Sequence, residues 1–469
     1  MTTQHGFPPE TYPTDDEVRG NTMTIRHHRA VGALAAASAL ALTLTACGSG
    51  SDGGDAPTEA VSPEEVSAAL EEGGDLLVWA WEPTLDKVVE EFEAEYPNVN
   101  VEMANVGTGN DHYVALQNAI SAGSGVPDVT QMEYYALPQF SIGESLADLA
   151  PFGASELDAT YSPGPWGAVT DGDAVYGLPM DSGPMALFYN AKTFEEAGVE
   201  VPATWDEFAD AAKKIHDHDP NTYITSDSGD AGFATSMIWQ AGGHPFQVDG
   251  TNVTVDLADE GSAKWSDMWQ GLIDDGLLSD VPGWSDEWFQ GLGNGEIAAL
   301  VTGAWMPANL ESAAAPASGD WRVAPMPQWT EGANETAENG GSALSITEAS
   351  EKKALAYGFL EYANAGDGVA TRLAGGNFPA TVADLNDEEF LAVESEYFGG
   401  QKINEVLSAS ATGVVEGWQY LPYQVYANSV FPDTAGQAYT GSMSLADGLG
   451  SWQESIVSYG NEQGFTVSE

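Results

Sequence analysis

The chain has 469 residues, too long for one ordinary domain and suited to two lobes of about 150–200 residues each. Its 72 Asp and Glu against 13 Lys and Arg leave a formal net charge of −59; such a surface repels phosphate backbones and anionic lipid and excludes nucleic acid as a partner. One cysteine rules out an intramolecular disulfide framework and any Cys-rich zinc site, while 43% hydrophobic residues suffice for buried cores.

The first segment reads as an address. Residues 24–29 are basic and residues 30–46 form an uncharged Ala- and Leu-rich run, followed by Leu44-Thr45-Ala46-Cys47. A positive head, an apolar stretch too short for a spanning helix and small residues before a cut describe a secretory signal peptide over 1–46. The Leu-Thr-Ala-Cys string resembles the bacterial lipobox, which implies cleavage before Cys47 and acylation of its thiol. A buried core cysteine is the alternative. Residues 1–22 carry Glu10, Asp15, Asp16 and Glu17, the wrong sign for a signal head, so Met23 is the candidate start. Residues 47–74 are expected to be a lipid-anchored linker, Gly/Ser-rich at 48–54. No later segment has 18 consecutive apolar residues, so the remainder is expected outside the cell, attached to the membrane through its lipid only.

Ser62-Pro63-Glu64-Glu65 has the pattern of a helix N-terminus, with a capping Ser, a Pro at the first position and a Glu at the third. Leu76-Leu77-Val78-Trp79-Ala80-Trp81 is a continuous apolar run, as expected of a strand buried on both faces. Leu85, Val88, Val89, Phe92 and Tyr96 then share one helical face, which Pro97 ends. Residues 99–103 alternate as a second strand, 113–121 form a helix, and 127–132 a third strand. This alternation predicts parallel pairing in an α/β lobe. The pattern recurs after Tyr189: a capping box at Thr204-Trp205-Asp206-Glu207, a helix over 264–276 with Trp265, Met268, Trp269 and Leu272 on one face, a buried strand over 296–302, and a helix over 351–364 closed by Gly366.

The search for a nucleophile is negative, with no Gly-x-Ser-x-Gly and no His-Glu-x-x-His. Gly291-x-Gly293-x-Gly295 lacks the spacing of a dinucleotide turn and reads as a loop. Paired carboxylates cannot be singled out where acids are so frequent. His216-Asp217-His218-Asp219 could hold a metal, but a solvated polar turn at a helix end explains it more simply, and neither metal nor cofactor is expected. Tryptophans are more informative. Trp265, Trp269 and Trp452 fall inside helices as core residues. Trp81 with Glu82, and Trp305, follow directly on strands, at the edge of an open α/β sheet where ligands sit. Aromatic rings stack on the C–H faces of sugars, and carboxylates accept bonds from several hydroxyls at once.

Taken in order, these pieces resemble the family-1 extracellular solute-binding proteins, the lipoprotein receptors of sugar ABC importers, related to maltose-binding protein. The match is carried by the lipobox, Leu77-Val78-Trp79 with its helix, Gly125-Val126-Pro127-Asp128-Val129, and Gly177-Leu178-Pro179-Met180-Asp181-Ser182 running into Leu187-Phe188-Tyr189-Asn190. It continues in Thr204-Trp205, Gly303-Ala304-Trp305, Gly340-Gly341-Ser342-Ala343-Leu344-Ser345-Ile346 and Asn377-Phe378-Pro379-Ala380. The resemblance implies an α/β, two-lobe periplasmic-binding-protein-like fold with a hinge and an interlobe cleft: lobe 1 over 75–185, lobe 2 over 186–340, a return to lobe 1 over 341–380, and the C-terminal part of lobe 2 over 381–469. Carried over, the ligand-binding residues are Trp81, Glu82, Thr108, Glu133, Asp181, Trp305, Gly341 and Ser342, with Trp418 or Tyr420 the candidate for a C-terminal stacking ring. Thr130-Gln131-Met132 departs from the apolar-aromatic strand usual at that place.

The leading expectation is thus a monomeric, non-catalytic carbohydrate receptor that docks on ABC permease subunits. Two rivals use the same residues: a receptor for a cationic or zwitterionic solute such as a polyamine or betaine, and a surface glycoside hydrolase or lyase.

Overall fold

The computed structural model describes residues 60–469; the signal segment, Cys47 and the spacer to residue 59 lie outside the described residues. Ser62 forms its capping box, with Ser62 Oγ accepting from the Glu65 N–H and the Glu65 carboxylate accepting from the Ser62 N–H. The helix it starts, Pro63–Glu72, buries Val66 and sets Leu70 against Gly358. Folded structure therefore begins inside the 47–74 range expected to be linker.

In the first lobe five strands lie in the order Val99–Ala104, Gly74–Trp79, Val129–Glu133, Ser342–Ile346 and Leu178–Pro179. The first three pair in parallel, as the strand–helix alternation requires. Ser342–Ile346, which arrives from the other lobe rather than through a crossover helix, runs antiparallel to both of its neighbours, Val129–Glu133 and Leu178–Pro179. The helix Leu85–Glu95 buries Leu85, Val88, Val89 and Phe92 against the sheet, the face its periodicity gives. Lys353–Ala365 packs beside it, with the Phe92 and Phe359 rings edge to face at 5.1 Å.

The second lobe departs from the expected parallel pattern. Its central strand, Met185–Asn190, pairs antiparallel with both Ala299–Gly303 and Trp321–Pro325. Parallel pairing survives between Thr225–Ser226 and Leu278–Ser279 and at the Tyr223–Ile297 bridge. Alternation signals the presence of crossovers but not the direction of a strand that enters from outside the lobe. Both faces of this sheet are covered. Met185 and Leu187 point to a core holding Trp205, Phe208, Trp265 and Trp269, and Ala186 and Phe188 to one holding Trp288, Trp321 and Phe398. That two-sided burial is why Leu187-Phe188 reads as an unbroken apolar run.

Two local readings change. Gly291 and Gly293 lie within the helix Asp286–Asn294 rather than a loop, and only Gly295 (φ 88°) is its left-handed cap. Thr204 caps the helix Trp205–His218 through the Glu207 N–H, but the Glu207 carboxylate accepts from Ala203, one residue before the cap.

The chain passes from the first core to the second between Met180 and Met185 and returns between Ala337 and Ala343. These two crossings lie side by side, antiparallel: Met180 N–H donates to Ser342 O, Asn339 N–H to Gly183 O and Met185 N–H to Ala337 O. A later passage touches them, where Ser182 N–H donates to Phe378 O.

Candidate functional site

Of the residues singled out in the sequence, most converge where the first-lobe sheet ends and the crossings begin. Trp81 and Glu82 leave the first strand and are pinned there by the buried Gln131, whose Oε1 accepts from both backbone N–H groups at 3.0 and 3.1 Å. The Gln131 amide in turn donates to Ser342 Oγ at 3.3 Å. Its neighbour Thr130 bonds His112 Nε2 at 2.9 Å. The polar Thr130-Gln131 pair, unusual for a buried strand, thus holds two of the site's segments together. Burial pushes the His112 imidazole down to about 4, so it stands neutral against the Trp81 ring, with centroids 4.9 Å apart.

Glu133 is half-buried. Tyr113 donates its hydroxyl proton to Glu133 Oε2 at 3.0 Å, and the same hydroxyl accepts from the Glu133 N–H. Burial raises the Glu133 carboxyl, and the hydrogen bonds of Tyr113 and Tyr135 oppose the rise. Thr108 is exposed in the loop before the helix Asn110–Ala122; its neighbour Gly109 lies against Glu133, where a Cβ would come within 3.7 Å of Oε2. Glu82 turns its carboxylate back on the Thr84 N–H at 3.1 Å, at the head of the helix Leu85–Glu95.

Asp181 sits on the first crossing. Its Oδ1 accepts from the Ser342 N–H at 2.6 Å, and its carbonyl accepts from the Tyr134 hydroxyl at 2.6 Å. Burial pushes its carboxyl up to about 6, against the opposing pull of Arg372. Gly341 has φ 94° and lies on the Tyr134 ring so closely that a Cβ would stand 2.5 Å from a ring carbon. Any other residue here would meet both the left-handed backbone and the ring.

Across the cleft, Trp305 donates its indole N–H to Asn339 O on the return crossing, at 2.6 Å. Tyr420 packs against both lobe cores, and its hydroxyl is pushed upward by burial and by the charges of Glu338 and Glu133. Trp418 is placed differently: it is partly buried against the second-lobe core, stacking on Trp239 at 5.2 Å and meeting the edge of Phe246. Of the two C-terminal candidates, Tyr420 is the one between the lobes.

Several residues here escaped the sequence reading. Glu338, 2% exposed, accepts from Ser182 Oγ at 2.9 Å and the Gly183 N–H at 2.6 Å; burial, reinforced by Asp181, pushes it up to about 7. Its signal was faint, an acid two residues before Gly340-Gly341. Arg372, 3% exposed, donates to Asn364 Oδ1 at 2.6 Å; burial lowers its guanidinium from the usual range, opposed chiefly by the charges of Asp181 and Glu82. Burial and the Glu133 charge raise the Tyr135 hydroxyl, with a smaller push from the second-lobe Asp230. Trp284 stacks on Trp305, with centroids 5.5 Å apart and planes at 26°; the Pro282-Gly283 turn before it was its only mark.

His216 points Nδ1 at Thr222 O, 3.1 Å away, with its ring on Tyr223. Among the described residues no group of three His, Cys, Asp or Glu is placed to hold a metal, and no helix is long and apolar enough to cross a membrane. Two surface hollows, one beside Ser162 and Leu385 and one beside His244 and Gln419, contain none of the site residues.

Residues 80–369 match the family described as bacterial extracellular solute-binding protein. The chain is 46% identical to the ABC transporter associated binding protein of B. animalis subsp. lactis, solved in complex with β-1,6-galactobiose; the match covers 85% of this chain and 100% of that one, with a TM-score of 0.77. It is 25% identical to the galacto-N-biose-/lacto-N-biose I-binding protein of a Bifidobacterium longum ABC transporter in complex with lacto-N-biose, over 85% and 99% of the two chains, with a TM-score of 0.74. The lactose-binding protein of Rhizobium radiobacter is 24% identical over 353 residues, 70% of this chain and 80% of that one. Matched over most of its folded length and sharing the two-lobe architecture of those structures, the chain belongs to the bacterial extracellular solute-binding proteins.

Proposed function

We propose that the protein binds a sugar or oligosaccharide between its lobes, as a monomer and without catalysis, and delivers it to an ABC importer. On this reading Cys47 carries the lipid that holds the receptor at the outer face of the cell membrane. The observation that carries the proposal is the pairing of two unlike walls: carboxylates and hydroxyls fixed by neighbouring hydrogen bonds on one side, and the Trp305 indole on the other. Such a site takes a ligand with hydroxyls around its rim and an apolar ring face. The 46% identical protein binds β-1,6-galactobiose, which has both.

The acids also suit a cationic solute, through carboxylates and cation–π contacts. Against this, the buried Arg372 guanidinium already supplies a positive charge beside Asp181, and Glu338 is buried on Ser182 and Gly183. A thermal-shift series with β-1,6-galactobiose, lactose, spermidine and glycine betaine tests the proposal. A bound sugar at 100 times its Kd stabilises by about 2.7 kcal/mol. A shift with spermidine or betaine and none with sugars would overturn the sugar reading, and cleavage of the disaccharide on prolonged incubation would overturn the non-catalytic one.

A further inference from the structure

Among the described residues Trp284 is the one aromatic side chain left mostly in solvent, 58% exposed. It also has φ 68°, a backbone conformation that disfavours a side chain with a Cβ. Both features work against folding, and neither comes from a slack loop. Ser285 closes the turn by donating its hydroxyl to Pro282 O at 2.8 Å, and the same oxygen caps the next helix by accepting from the Trp288 N–H at 3.1 Å. The Trp284 ring is backed by Trp305 and by Trp288, at centroid distances of 5.5 and 5.6 Å, and by the edge of Phe289. Trp288 is itself buried and donates its indole N–H to Ser226 Oγ at 2.6 Å. An aromatic ring is thus held out to solvent, stacked on Trp305 and linked, through the Trp305 indole N–H, to the crossing at Asn339.

We propose that Trp284 is a second stacking ring of the same site, so that the ligand has at least two pyranose rings, one at Trp305 and the next on Trp284. A pyranose ring supplies what this surface lacks, a flat C–H face to cover it and hydroxyls that stay in water. The inference rests on the reading of the cleft as a sugar site and adds to it a minimum ligand length.

Calorimetric titration of the lipid-free mature chain with β-1,6-galactobiose and with galactose tests it, using the wild type, Trp284→Ala and Trp284→Phe. Trp284→Ala should lower affinity for the disaccharide about tenfold or more while leaving the affinity for galactose unchanged. Trp284→Phe, which keeps a ring, should restore most of the loss. Unchanged melting temperatures would show that the exposed ring was removed without harm to the fold. Disaccharide affinity equal in Trp284→Ala and wild type would overturn the inference, as would equal losses for both sugars, since the ring would then serve only to prop Trp305. Failure of the wild type to bind either sugar would overturn the underlying sugar reading before any substitution is compared.

Discussion

The first-lobe wall of the cleft presents Glu133 and Asp181 with oxygens already engaged by Tyr113 and Ser342, whereas the second-lobe wall presents two stacked indoles, Trp305 and Trp284, tied to the backbone by a single N–H. On the polar side, each group is aimed by another polar group and has little freedom to accept a differently placed hydroxyl. On the aromatic side, area matters more than aim, because a ring face accepts any apolar face that reaches it. The difference suggests a division of labour. On the proposed function, the carboxylates would discriminate among ligands and the rings would supply most of the affinity.

The sharpest way to break this arrangement is at the crossing that holds the walls in register. Gly341→Ala should cost about 3 kcal/mol or more, since it combines a left-handed backbone with a Cβ 2.5 Å from the buried Tyr134 ring. A urea midpoint equal to that of the wild type would show that Tyr134 can move and that the crossing is not the fixed reference for both walls.

A smaller effect is expected from the aromatic wall alone. Trp305→Ala should weaken β-1,6-galactobiose binding by about 1–3 kcal/mol while the protein still unfolds in one cooperative transition. If cooperativity is lost instead, the ring belongs to the core and the division between walls must be redrawn.

The polar wall should show itself in pH dependence. Glu338 and Asp181 are pushed up to about 7 and about 6 by burial, so the folded protein retains protons that the unfolded chain has released. Stability should therefore be greatest near pH 4 and fall as pH rises toward 7, by on the order of 3 kcal/mol for Glu338. Glu338→Gln, which cannot ionise, should flatten that part of a melting-temperature profile. An unaltered slope would place the titration on other groups.

How far the sequence revealed these walls depended on the kind of interaction. The first-lobe strands and the Leu85–Glu95 helix were legible because burial writes itself as periodicity, as in Leu85, Val88, Val89 and Phe92. Trp81 and Trp305 were legible because they stand at strand ends. Glu338 and Arg372 were not: a buried charge leaves no period, and in a chain with 72 acids one more Glu carries no signal. Trp284 lacked a neighbouring strand and needed the fold to bring it onto Trp305. The stacking of Trp418 on Trp239 was not legible either, since the two are distant in sequence. The antiparallel second-lobe sheet was hidden because direction depends on where a strand comes from, not on its composition.

The paired crossings have a mechanical consequence. Met180–Met185 and Ala337–Ser342 are bonded rung by rung, at Met180 with Ser342, Gly183 with Asn339, and Met185 with Ala337. Sliding one crossing along the other would break those rungs together, whereas bending both in the same sense breaks none. The linkage is therefore stiff in shear and compliant in flexure, and it confines relative motion of the lobes chiefly to rotation about one axis. Trp305, bonded to Asn339 beside that axis, would sweep only a short arc. A small rotation would thus close the lobes while leaving that contact almost in place.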